Sequence, residues 1–208
     1  MKAGFRALLL GLVLLPLSVA HALPTAAEIS AAFKAIDTSG NGAISRAEWD
    51  QASFELFHAA DKNGDNYLTP NELAGSSITQ ETFAIADEDR DGRLSVAEFM
   101  RLRRALFTAA DIDRNDNLTL IEFELLTLLS QTGWTDRNHD GHIQPSELRE
   151  SLVQAFARLD ENHDNFLSPA ETAYMNPARR ERFDVNHDGK LSEDEFVNGY
   201  IKELDSTI

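Results

Sequence analysis

The chain has 208 residues, 35 of them acidic against 19 basic, for a formal net charge of −16, and it has no cysteine. So acidic a chain repels phosphate, which argues against nucleic acid and anionic membrane as partners. The missing cysteine excludes disulfide staples and thiol catalysis.

In chain order, residues 1–22 stand apart. Lys2 and Arg6 precede an apolar run from Ala7 to Ala20, and small residues follow at Ala20 and Ala22. Charge, apolar run and small residues in that order are the signature of a secretory signal peptide. The run is shorter than the roughly 20 residues that a membrane span needs. No membrane span is therefore expected in the mature chain, and its expected address is periplasmic or secreted. Removal of Lys2 and Arg6 leaves the mature chain two charges more negative.

Beyond the leader, Thr25 and Glu28 have the spacing of a capping box, opening a helix whose Phe33 and Ile36 face the core. Seven twelve-residue segments then share one pattern. They are "DTSGNGAISRAE" at 37–48, "DKNGDNYLTPNE" at 61–72, "DEDRDGRLSVAE" at 87–98 and "DIDRNDNLTLIE" at 111–122. "DRNHDGHIQPSE" at 136–147, "DENHDNFLSPAE" at 160–171 and "DVNHDGKLSEDE" at 184–195 complete the set. Each begins with Asp, ends with Glu and has Ile or Leu eighth. Oxygen-bearing side chains recur at the first, third, fifth, ninth and twelfth places.

These segments resemble EF-hand calcium loops, and the resemblance covers nearly all of the mature chain. It implies calcium ions as the bound cofactor. Calcium is a hard cation that takes six to eight oxygens, with the first, third and fifth side chains, the seventh carbonyl and a bidentate twelfth Glu as ligands. Loop one would then use Asp37, Ser39, Asn41, the carbonyl of Ala43 and Glu48. Loop two would use Asp61, Asn63, Asp65, Tyr67 and Glu72, and loop three Asp87, Asp89, Asp91, Arg93 and Glu98. Loop four offers Asp111, Asp113, Asn115, Asn117 and Glu122. Loop five offers Asp136, Asn138, Asp140, His142 and Glu147. Loop six has Asp160, Asn162, Asp164, Phe166 and Glu171, and loop seven Asp184, Asn186, Asp188, Lys190 and Glu195. These places hold most of the acidic residues, so the acidity is chiefly metal-site acidity. Loop three is the richest in charge and loop one the poorest.

The sixth place must turn with φ > 0. Gly42, Gly92, Gly141 and Gly189 fill it in the odd loops. Asn66, Asp116 and Asn165 fill it in the even loops, where weaker binding is expected because these residues reach that region less readily than Gly.

Links from odd to even loops contain neither Gly nor Pro and carry apolar residues at helical spacing, so one helix leaves a loop and enters the next. Links from even to odd loops break, at Gly75–Ser77, at Gly133 and at Asn176–Pro177. Face-to-face pairs are expected across these breaks: loops two with three, four with five, six with seven. The fold class is thus all-α, with repeated helix–loop–helix units, short paired β-bridges and closely spaced loops sharing helices. Two lobes are expected, 23–126 with loops one to four and 127–208 with loops five to seven.

Other residues fit bland roles. His139, His163 and His187 stand fourth in their loops, directed away from the ion. "RLRR" at Arg101 to Arg104 and "RRER" at Arg179 to Arg182 offset neighbouring carboxylates. No catalytic motif stands outside the loops, so the chain reads as a binding protein and not an enzyme. A calcium buffer or calcium-stabilised protein is the first expectation. A sensor for a protein partner is the alternative; the mature chain has only Met100 and Met175 for an adaptable groove. The close loop spacing is also similar to that of lanmodulin, a lanthanide-binding EF-hand type. Here no proline stands second in any loop and the ninth residue is never Asp. Partner and oligomeric state are not legible in the sequence.

Overall fold

The computed structural model describes residues 23–74, 78 and 80–206. The leader at 1–22 and the break at Gly75–Ser77 lie outside the described residues. Among the described residues there are eight helices and six two-residue strands. In order they are α1 (Ala26–Ile36), β1 (Ile44–Ser45), α2 (Arg46–Ala60), β2 (Tyr67–Leu68), α3 (Gln80–Ala86), β3 (Leu94–Ser95) and α4 (Val96–Ala110). Then follow β4 (Asn117–Leu118), α5 (Leu120–Thr132), α6 (Pro145–Leu159), β5 (Phe166–Leu167), α7 (Pro177–Phe183), β6 (Leu191–Ser192) and α8 (Glu193–Asp205). The architecture is mainly helical, as expected, and no described helix is long and apolar enough to cross a membrane.

Helices α2, α4 and α6 are the three uninterrupted links, each of 15 residues. Each leaves one loop and enters the next without a break. At 1.5 Å per residue, α2 and α6 each space their two loops by about 20 Å. After loops two and six the chain makes only a short turn. Leu73 N–H donates to Thr69 O at 3.1 Å and Thr172 N–H to Ser168 O at 3.1 Å. These links must hold an exit, a break and a new entering helix, so exit and entry are both short. Asn176 restarts the chain: its side chain accepts from Ala178 N–H at 2.9 Å, with Pro177 at the first helical place of α7.

β2 pairs antiparallel with β3, with Leu68 opposite Leu94, and β5 with β6, with Leu167 opposite Leu191. All four leucines, the eighth residues of loops two, three, six and seven, are fully buried. The expected pairs two–three and six–seven therefore form. The four–five pair does not, because loop five carries no strand. Gly133 (φ +81°) ends α5, and only Trp134 and Thr135 remain before Asp136, too few for an entering helix.

The chain divides into two compact units. The first runs Ala31–Phe107, and the second comprises Leu23–Ser30 and the chain from Thr108 onward. Loop four thus falls in the second unit, whereas the expected boundary at 126/127 placed it in the first. The reason lies in α5, its exit helix: Arg158 on α6 donates to Thr132 O, and Glu124 of α5 binds Arg179 of α7.

Within the first unit, Leu56, Phe57, Leu68, Leu73, Leu94 and Phe99 form one core cluster. The Phe57 and Phe99 rings meet edge to face at 5.5 Å, and Trp49 meets Phe107 at 5.9 Å. In the second unit Phe196 lies between Phe156 and Tyr200, at 6.0 and 5.3 Å. The aromatics that flank the loops are core residues.

Candidate metal centres

Each loop is built around its first Asp. One carboxylate oxygen accepts the sixth-place amide at 2.9–3.1 Å in all seven loops. The fifth side chain in turn accepts the seventh amide at 2.8–2.9 Å. Short polar side chains here act as local turn formers, replacing the backbone ladder that a tight loop cannot make.

The backbone bends through positive φ twice per loop. The sixth residue has φ between +61° and +86°, with Gly42 the largest and Asp116 the smallest. The fourth residue does the same: Gly40, Gly64, Arg90, Arg114, His139, His163 and His187 lie between +57° and +74°. The loop pattern predicts this demand at the sixth place only. The glycines at 40 and 64 were the available signal. His139, His163 and His187 are exposed, in keeping with their solvated reading.

The twelfth Glu closes each loop. One oxygen accepts the ninth-place amide at 2.8–3.0 Å. The other reaches back to an amide at the second place, or the third in loop one, at 2.9–3.1 Å. The ninth residue is thus the N-cap of the exit, and Ser/Thr-x-x-Glu is a capping box. The same Glu serves helix and ion. Ser45, Thr69, Ser95, Thr119, Ser168 and Ser192 hold this place, with Gln144 in loop five. The Ser/Thr-x-x-Glu spacing displays this capping role in the sequence itself.

These contacts set the carboxyl acidities. Burial pushes Glu48 up, but hydrogen bonds from Ser45 and Ser39 outweigh it and hold the carboxyl at about 2. Hydrogen bonds from Ser95 hold Glu98 below its usual range, as those from Thr69 hold Glu72. Loop four differs: burial pushes both Asp111 and Glu122 up, against the pull of backbone hydrogen bonds.

The oxygens converge where a cation would be held. In loop three Asp87, Asp89 and Asp91 each bring a carboxylate oxygen within 4.8 Å of the others, and in loop four Asp111, Asp113 and Glu122 do so. Gathering like charges is unfavourable without a counter-charge. In loop five Asp136 Oδ1 is buried and accepts no hydrogen bond. All-oxygen donors of this kind suit a hard cation and disfavour a soft one. Each predicted set lies on one short winding, so the residues fit the ion.

Seven loops of one hydrogen-bond plan, each closed by the Glu that caps the following turn or helix, define a protein built to hold several hard cations. Six stretches match the EF hand family, at 29–53, 55–74, 79–102, 136–153, 152–173 and 181–199, together more than half of the chain. The chain belongs to the EF-hand family, whose domains bind calcium. No curated protein matches it. Loop four lies outside the matched stretches but has the same hydrogen-bond plan.

Proposed function

We propose that the chain is a calcium-binding protein of the periplasm or exterior, a buffer or reservoir that is itself stabilised by the ions it holds. The observation that carries this reading is the repetition of one loop geometry seven times. Without metal, the clustered carboxylates oppose the fold through mutual repulsion; bound calcium removes that cost and adds its binding energy to folding. Export rests on the leader-like order of residues 1–22. A binding role, not catalysis, is proposed.

A buffer exposes little apolar surface. The large hydrophobics more than a third exposed, among the described residues, are Phe54, Ile85, Trp134 and Val185, on four different segments. That pattern favours a buffer over a sensor that opens an apolar groove.

The test is a calcium titration of the chelator-stripped protein with ion counting, alongside circular dichroism and a hydrophobic dye. Binding of more than three ions at millimolar calcium, with a gain in helicity and melting temperature and little dye uptake, is expected. Fewer than three ions would overturn the reading. Strong dye uptake would replace buffer by sensor, and displacement of calcium by equimolar lanthanide would change the ion.

A further inference from the structure

The loop pairs two–three and six–seven share a feature that the other loops lack. In loops six and seven, Lys190 stands seventh in loop seven. Its ammonium lies 2.9 Å from Asp164 Oδ2, the fifth-place ligand of loop six, and 5.3 Å from the centre of the Phe166 ring, seventh in loop six. In loops two and three, Arg93 stands seventh in loop three. Its guanidinium lies 4.1 Å from the centre of the Tyr67 ring, seventh in loop two, and 3.0 Å from Asp91 Oδ2, the fifth-place ligand of its own loop. The antiparallel ladders bring the seventh place of each even loop opposite the ninth of its odd partner. Each cation therefore lies over its partner loop.

Both cations feel the fifth-place carboxylates of both loops. Asp164 foremost, then Asp188, raises the basicity of Lys190. Asp91 foremost, then Asp65, raises that of Arg93. In loops one, four and five the seventh residues are Ala43, Asn117 and His142, and no Lys or Arg stands there.

We infer that Lys190 and Arg93 are tethered competitors of the metal, each lowering the calcium affinity of its loop pair and coupling the two sites. A fifth-place carboxylate that turns to calcium must release the cation. Released from one loop, the cation no longer screens the neighbouring one, so the second ion enters more easily. An ion pair this exposed is weak, so the effect is an adjustment of affinity and cooperativity and not a gate. The inference rests on calcium filling loops six and seven.

The test uses the full chain with Lys190→Gln, and Lys202→Gln as a control for net charge, since Lys202 lies exposed on α8. Calcium is titrated while the amide resonances of Asn165 and Gly189 report loops six and seven separately. In Lys190→Gln both sites should tighten about two- to five-fold, with the transition less cooperative, while Lys202→Gln leaves both unchanged. In the chelated wild type, the Lys190 methylene protons should show the ring-current shift of Phe166 and lose it as calcium is added. Equal affinity in the two variants, or a Lys190 signal indifferent to calcium, overturns the inference and leaves the calcium function standing. A wild type that binds no calcium at these two loops overturns the inference, and the calcium function falls with it only if fewer than three ions bind in all.

Discussion

Arg179 of α7 and Glu124 of α5 form an ion pair with side chains only 7% and 3% exposed. Arg179 Nε also binds Glu203 Oε1 at 3.1 Å, and Arg182 joins the same oxygen at 3.0 Å. The Tyr200 hydroxyl donates to Glu124 Oε1 at 3.2 Å. Three helices of the second unit thus meet in one polar cluster: α5 and α8, the exits of loops four and seven, and α7, the entry to loop seven. Removing one partner of a buried pair leaves an uncompensated charge, at a cost of about 3–5 kcal/mol. Glu124→Ala should lose that much in denaturant unfolding at fixed calcium. Glu124→Leu combined with Arg179→Met should recover most of it, because apolar packing replaces the pair.

Gly199 lies within α8, where a Cβ would run into the Phe183 ring. That ring packs edge to face on Tyr200 at 5.3 Å, so it has little room to yield. The usual gain from replacing a helical glycine by alanine should be reversed here. Gly199→Ala is expected to destabilise the protein by about 1–3 kcal/mol, as overpacked core sites do. A melting temperature equal to or above that of the wild type would show that α7 moves away freely.

The twelve-residue pattern made the loops and their ligands legible, because the chemistry of a hard cation dictates residue type at each place. The shared helices were legible too, since α2, α4 and α6 contain no breaker before the next loop. Two things were hidden. The pairing of loops depends on distances that sequence spacing does not contain; loop five stands just three residues beyond α5 and cannot fold back onto loop four. The buried role of Arg179 was also hidden. In "RRER" it looks like Arg180 and Arg182, and only the approach of α5 and α8 separates it from them.

The capping role of the ninth residue separates helix stability from metal binding. In the chelated protein, Ser45→Ala removes the oxygen that accepts the Glu48 amide and should cost about 0.5–2 kcal/mol. Glu48→Gln should cost a comparable amount in the chelated protein and also remove one ion from the calcium count. An unchanged count in Glu48→Gln would mean that loop one holds no calcium, in line with its poor ligand charge. Ion counting by equilibrium dialysis, paired with thermal melts in chelator, distinguishes these outcomes.

The acid behaviour of the chelated protein should differ between loops one and four. Glu48 is more acidic in the fold than the usual glutamate value of about 4.3, so the unfolded chain takes up its proton first. Its stabilising contribution is complete above that value and is lost as the pH falls from about 4.3 to about 2. Asp111 and Glu122 have the opposite sign. Burial raises them, so the fold binds protons more tightly than the unfolded chain, and their ionisation weakens the fold as the pH rises past the usual carboxylate range. Carboxyl carbon resonances followed by pH titration in chelator should place Glu48 well below Glu122. Amide protection in loop one should fall with acid while that in loop four rises. Calcium should abolish the second trend, because the ion replaces the proton as the counter-charge that loop four needs.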